Sequence, residues 1–437
     1  MKSATAVVGE SSGSPGSPET APVPAPRLRH PIRLPHFRNL WIGATISLLG
    51  DQFYLVALPW LVLQLTRSSV ALGTILMTAA IPRAALMLIG GAVTDRFSAR
   101  RVLMATATVR AVLVGTVAAL IWLDLIQLWQ LYALTFVFGV ADAFSFPAGS
   151  ALIPTLVQPE QLRPANALFQ SSTVLTQMAG PAPAGLLIKS WGIASALFFD
   201  ALSFLAVLAA LFRIPDPLKA PATAGAGGGP GAPSRPSMLH SIVEGLRSVR
   251  NDPPLLSLMV IFAAINFCVA GPIGVGLAAM AKFRFDSSAA FGTLLSCFSG
   301  GTLAGIVLGG TVKRPRKRGL QFTIMSLLCG VELIGIGLVP KANGLIMIAV
   351  LLAVMGLGVG FVNVQFSAWL QMRVERALLG RVMSVLMFAA VGLVPVSLAL
   401  SGVLAQWSLK GLFIAAGAVL VATSAAALSG KAAREID

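Results

Sequence analysis

Charge is what this chain has least of. Asp, Glu, Lys and Arg together make up 11% of its 437 residues, against about 25% in soluble domains. That deficit speaks against an ordinary soluble protein. Histidine is scarcer still, with three residues in the whole chain. His30, His36 and His240 all fall outside the apolar runs, so a proton carrier inside those runs has to be a carboxylate. The three cysteines, Cys268, Cys297 and Cys329, sit in apolar runs at no metal spacing and in no disulfide framework, so they read as packing residues. No His-x-x-x-His, Walker or zinc spacing occurs. The sequence therefore offers no metal site and no cofactor site. Direct ATP drive would need another chain.

What is present is apolar length. Hydrophobic residues supply 56% of the chain and the mean hydropathy is +0.84. Runs long enough to cross a bilayer recur twelve times, at about 38–64, 69–93, 102–123, 128–151, 166–188, 192–213, 254–281, 287–312, 320–339, 344–371, 380–405 and 409–429. Backbone groups in lipid must be satisfied internally, so each run is expected to be a helix. The fold class predicted is an all-α membrane protein with twelve transmembrane helices.

The net charge is +16, which could suggest nucleic acid, but its placement argues otherwise. Most Lys and Arg fall in the tails and in the connections from even-numbered to odd-numbered spans. The opposite connections hold only Arg67, Lys189, Lys282, Arg284, Lys341 and Lys410. Cytoplasmic loops carry such an excess, so both termini are expected in the cytoplasm of a bacterial inner membrane. Tryptophans agree with this map: Trp41 and Trp369 fall near inner ends, and Trp60, Trp122, Trp129, Trp191 and Trp407 near outer ones. No nucleic-acid partner is expected.

Two low-complexity stretches organise the chain. Residues 1–37, Pro/Ser/Ala-rich, read as a disordered cytoplasmic tail rather than a cleaved signal. Residues 215–238 read as a flexible cytoplasmic linker. The linker separates an N-terminal six-helix bundle (38–214) from a C-terminal one (239–430), with a last tail at 431–437. The second unit begins with HSIVEGLRSVR, whose apolar face suits a helix lying on the membrane surface. The halves echo each other: GGAVTDRFSARR from Gly90 and GGTVKRPRKRGL from Gly309 both follow the second span of their half. A duplicated bundle, pseudo-symmetric about an axis along the membrane normal, would produce that echo.

GGAVTDRFSARRVL resembles the signature loop of the major facilitator superfamily. Gly91, Asp95, Arg96 and Arg100 match the pattern. Ser98 and Ala99 replace the usual Gly and Arg, and Arg101 lies one position beyond. Four further segments resemble the bacterial drug and siderophore exporters of the enterobactin and macrolide type: SLLGDQFYLVALPWLVLQLT, DAFSFPAGSALIPTLVQPEQLRPANAL, FFDALSFLAVL and GRVMSVLMFAAVGLVPVSLALSG. The resemblance implies alternating access, with two halves rocking about a site near the bilayer midplane. It also implies that Asp95 latches the cytoplasmic side. A helix N-terminus near Gly380 and Arg381 would attract that carboxylate when the halves meet. Arg96, Arg100 and Arg101 also read simply as positive-inside charges. In span five, QMAGPAPAGLLI resembles a bend that marks exporters: Gly180, Pro181 and Gly185 match, and Ala184 stands where a glycine is usual. Gly301, Gly305 and Gly309 of span eight form a stripe that could pack on this bend across the two halves.

Charges inside apolar runs are the candidate machinery. From depth alone, Asp51 pairs with Arg83, and Arg110 forms an intramembrane ion pair with Asp142. Asp51 is expected to line the cavity, where it titrates or binds a substrate cation. A structural role beside Arg83 is the plainer alternative. Gln52, Asn266, Asn363 and Gln365 are candidate hydrogen-bonding groups, with Phe53, Phe136, Phe267 and Phe361 as apolar wall or simple core. Asp200 and Glu332 are left without a role, and the resemblance implies that the span carrying Glu332 is peripheral. The expected function is export of a small amphipathic organic molecule in exchange for protons, by a monomer in the lipid bilayer. A lipid or metabolite transporter of the same fold is the alternative. A polytopic membrane enzyme lacks the clustered acid, base or metal groups it would need.

Overall fold

A computed structural model describes residues 30–215, 252–311, 318–340, 344–374, 382, 386 and 390–429, without the side chains of 88–92, 95 and 318. The tails, the linker, the surface helix expected at its end, and Gly380 with Arg381 lie outside the described residues. So does the side chain of Asp95.

The described residues fold into helices alone. In the first half these are α1 (Pro35–Thr66), α2 (Ser69–Arg96), α3 (Ala99–Trp122), α4 (Leu128–Leu156), α5 (Leu162–Ala179), α6 (Pro181–Trp191) and α7 (Ile193–Phe212). In the second they are α8 (Pro253–Phe285), α9 (Ser288–Thr311), α10 (Arg318–Leu338), α11 (Gly344–Arg373), α12 (Val394–Trp407) and α13 (Leu409–Ser429). With α5 and α6 forming one broken span, each half has six crossings, as the apolar runs predict.

Local chemistry sets the helix ends. Pro35 and Pro253 open α1 and α8 at the positions where a missing N–H costs nothing. Ser68 and Asp252 cap α2 and α8, accepting from Ala71 N and Leu255 N at 3.2 Å each. The Asp252 carboxylate also receives Arg373, 3.2 Å away on α11, which ties the two helices at one end. Arg100 Nε donates to the Leu211 carbonyl at 2.8 Å, so this signature arginine caps the last turn of α7.

The two halves meet along two seams. In one, α2 lies on α12, where a Cβ at Gly73 would sit 2.6 Å from the Leu398 carbonyl. In the other, α5 and α6 lie on α9. Pro181 and Pro183 leave the span short of donors at the bend. There the Ala182 N–H turns out of its own helix and donates to Ser296 Oγ at 3.0 Å, and Ser288 Oγ donates back to the Gly185 carbonyl at 3.0 Å. The bend thus packs across the halves as expected, but its partner is a different glycine. Gly292 meets the Pro181 carbonyl, while Gly301, Gly305 and Gly309 face Ala353, Leu357 and Phe361 of α11. The expected glycine stripe is therefore a seam within the second half. Gly356 and Gly360 reciprocate from α11, facing the Phe298 and Thr302 carbonyls.

The contacts between halves gather at the end away from the chain termini. Ser69 N donates to Gln406 Oε1 at 2.8 Å, and the Lys282 ammonium lies 4.7 Å from the Trp60 ring centre. At the termini end, a cavity stands open inside the first half.

Candidate functional site

That cavity encloses about 750 Å³. It is walled by the termini-side halves of α1, α3, α4, α5 and α7, from Leu40, Leu103 and Ile153 near its mouth to Asp51, Arg110 and Asp142 at mid-depth. Most of its surface is apolar, with Phe146, Phe169 and Phe204 among the larger groups. Asn166, Gln170 and Thr173 supply a polar strip along α5.

The charges form one chain of contacts. Arg110 Nη2 donates to Asp51 Oδ1 at 2.5 Å, and Arg110 Nη1 lies 3.7 Å from Asp142 Oδ1. Arg83 Nε lies 2.7 Å from Asp142 Oδ2. Arg110, 11% exposed, is held between the rings of Phe138 and Phe204, whose centres lie 4.7 and 4.5 Å away. Arg83 is 45% exposed and bounds the network on the open side. Two carboxylates and two guanidiniums are thus arranged Asp51–Arg110–Asp142–Arg83, neutral in sum when all are ionised.

This corrects one of the two sequence-based pairings, Asp51 with Arg83, while the expected Arg110–Asp142 ion pair is present at 3.7 Å. Asp51 belongs to Arg110, not Arg83, and Asp142 is held more closely by Arg83 than by Arg110. Depth was the wrong discriminator, because all four residues lie near the middle of their helices. Adjacency decides instead: α2 packs chiefly on α4 and barely touches α1, although the two are consecutive. That puts Arg83 beside Asp142 and leaves Asp51 to α3.

The remaining candidates are scattered. Gln52, next to Asp51, turns away into the core and packs on Gly180, where a Cβ would lie 2.6 Å from the Gln52 side chain. Asn266 donates to its own helix at Phe262 O, 2.8 Å, and with Asn363 borders a separate cavity of about 140 Å³ between α8 and α11. Gln365 Nε2 donates to the Gly309 carbonyl at 2.9 Å. Of the expected aromatic wall, Phe53 stacks on Phe199 away from the cavity and Phe136 is exposed. Arg96 is exposed at the end of α2, and Arg101 opens α3 beside Arg100. Glu332 is half-buried on α10, and its Oε2 has no hydrogen-bond partner among the described residues. The strip on α5 went unnoticed in the sequence, although Asn166, Gln170 and Thr173 recur at the i, i+4, i+7 spacing of one helical face.

Comparison with known proteins agrees with this architecture. The Major Facilitator Superfamily model matches residues 40–396. The chain is similar to Macrolide efflux protein A of Streptococcus pyogenes, 24% identical over 376 residues, covering 85% of this chain and 89% of that protein. It is 29% identical over 426 residues to Multidrug efflux pump Tap of Mycobacterium tuberculosis, covering 94% and 96%. Among solved structures, a bacterial homologue of the iron transporter ferroportin in its inward-facing state superposes with a TM-score of 0.68 at 17% identity, over 91% of this chain and 98% of that one. The nucleoside transporter NupG does so at 0.68 and 12%, over 90% and 98%.

Proposed function

On the premise that this chain belongs to the Major Facilitator Superfamily, a family of transporters and not of enzymes, we propose that it exports small amphipathic organic molecules, of drug, antibiotic or siderophore type, in exchange for protons. The observation that carries this reading is the Asp51–Arg110–Asp142–Arg83 network set at the inner end of a large, mostly apolar cavity. The apolar wall suits the body of an amphipathic solute better than a sugar, which would need hydrogen bonds all round. Asp51 and Asp142 suit a cationic group on it. The named activities of the macrolide and multidrug efflux relatives point the same way.

In this reading the cavity is open to the cytoplasm and the far end is closed, as in an inward-facing state. A positive-inside excess at the termini end supports that orientation. A solute cation seated at Asp51 competes with Arg110 for the carboxylate. Only a ligand that binds the two states of the transporter unequally can shift it between them. Asp95, of the signature loop, latches the same end when the halves close there in this reading. One copy of the chain holds the whole cavity, so a monomer suffices.

The test is uptake into inside-out vesicles of ethidium, a macrolide, a siderophore and a fluorescent lipid, with and without an imposed pH gradient. Gradient-driven uptake of ethidium or the macrolide, lost in Asp51→Asn with the protein still inserted, supports the reading. Uptake of the lipid alone would favour a lipid transporter of the same fold.

A further inference from the structure

Asp200 takes no part in the network just described, yet it is the most deeply buried acid among the described residues, with 0% of its surface exposed. It lies on α7, wedged against α1 at Gly50, where a Cβ would come within 2.6 Å of Asp200 Oδ1 and 2.0 Å of Ser203 Oγ. Ser203 Oγ donates to the Asp200 backbone carbonyl at 2.7 Å and lies 3.3 Å from Oδ1. The other carboxyl oxygen, Oδ2, has no partner among the described residues. An ionised carboxylate left in that condition costs several kcal/mol, and taking up a proton removes most of the cost.

Its surroundings are well defined. Asp51 and Tyr54 on α1 and Arg110 on α3 are close enough to act on it electrostatically, Ser203 touches it from α7 itself, and Asp142 and Arg83 connect to it through Arg110. On α6, which also packs on α7, the charge is Lys189 at the far end. Arg110 lies over the ring of Phe204, one helical turn along α7 from Asp200, and its Nε is also without a partner among the described residues. A buried donor on α3 and a buried acceptor on α7 are therefore both unused there, a helical turn of α7 between the ring that Arg110 covers and the acid. The guanidinium is meanwhile committed to Asp51 and Asp142.

We propose that Asp200 is a proton-binding site, and that Arg110 controls release of the proton by exchanging Asp51 for Asp200. The proposal deepens the antiport reading and rests on it for its coupling step. A cation arriving at Asp51 takes the place of Arg110 there. The guanidinium then turns to Asp200, the carboxyl O–H bond breaks with its electron pair staying on the carboxylate, and the proton leaves through the cavity to water. One positive charge enters and one leaves.

The test is infrared spectroscopy of the full chain in liposomes near neutral pH, reading the C=O stretch of protonated carboxyls before and after adding tetraphenylphosphonium. Wild type is expected to show the band and to lose it on adding the cation. Asp200→Asn, close in shape to the protonated acid, should lack it. Ser203→Ala should keep it at a shifted frequency, and serves alone if Asp200→Asn does not fold. A band unchanged in both position and size by the substitutions overturns the proposal. If Asp200→Asn removes the band but vesicle uptake ignores the pH gradient, the antiport reading fails and the proton site stands.

Discussion

The two halves share a fold and divide the chemistry unequally. The first sets Asp51, Arg83, Arg110, Asp142 and Asp200 well inside its helices, all but Arg83 buried or half-buried. Among the described residues, the second has only Glu332 at such depth, away from the cavity. The second half has instead the glycine seam of α9 and α11, in which backbone meets backbone at Gly301, Gly305, Gly356 and Gly360. A close seam resists deformation, whereas a charged network with a spare donor and a spare acceptor has two arrangements available to it. In the proposed reading, one half holds ligand and proton, and the other serves as the stiff body it moves against.

The largest test of that contrast removes the shared cation. Arg110→Ala leaves Asp51 and Asp142 without their common partner at mid-depth, and is expected to cost about 3 kcal/mol or more. Glu332→Gln, in the other half, should change stability little. Thermal melting of the purified variants compares them, and equal losses would break the asymmetry. Next in size, Asp51→Asn should lower gradient-driven uptake at least about tenfold, a loss of about 1.4 kcal/mol in the coupled step. Asn363→Ala should keep most of it. A large loss at Asn363 would bring the second half into the site.

The seam itself is sharpened by two glycines of α9. A Cβ at Gly301 would lie 2.0 Å from the Ala353 carbonyl, so Gly301→Val is expected to destabilise by about 1–3 kcal/mol. Gly310 has nothing within 4 Å, so Gly310→Ala should be neutral or gain up to about 1 kcal/mol. Denaturation of the two variants side by side decides it. The smallest effect concerns the closed far end. Lys282, by hydrogen bond and then by charge, holds the exposed Asp286 carboxyl below its ordinary range. Its contribution is therefore full above the ordinary aspartate value and is lost as pH falls toward the lowered one. An acid titration of tryptophan fluorescence should show a step in that acid window in wild type that Asp286→Asn lacks.

Much of this architecture was legible from residue order. Twelve apolar runs give the crossings, the GGAVTDR loop and QMAGPAPAG bend resemble the family that the comparison shows, and the acids inside spans gather mostly in the first half. What was not legible depends on which helices are neighbours. Asp51 and Arg83 sit on consecutive helices at one depth, yet Arg83 is carried to α4. Gly301 and its companions look suited to any partner, and only packing directs them to α11. Asn166, Gln170 and Thr173 were readable as one face of a helix, but their direction toward the cavity depends on how α5 is rotated. Asp200 looked like one more acid in a helix until the bare backbone of Gly50 was found against it.

The bend at Gly180 and Pro181 has a mechanical consequence. Because the Ala182 amide between two prolines donates to Ser296 Oγ, the halves are stitched by a main-chain N–H and a side-chain hydroxyl at a point off-centre along α9. Such a stitch acts as a fulcrum with unequal arms. From Ser296 to Thr311 the long arm runs about 22 Å at about 1.5 Å per residue, so a tilt of about ten degrees carries its tip about 4 Å. The short arm, back to Ser288, is about 12 Å long and moves about half as far, so in the proposed alternating-access reading a small adjustment where α6 meets α9 becomes a wider stroke at the opposite mouth.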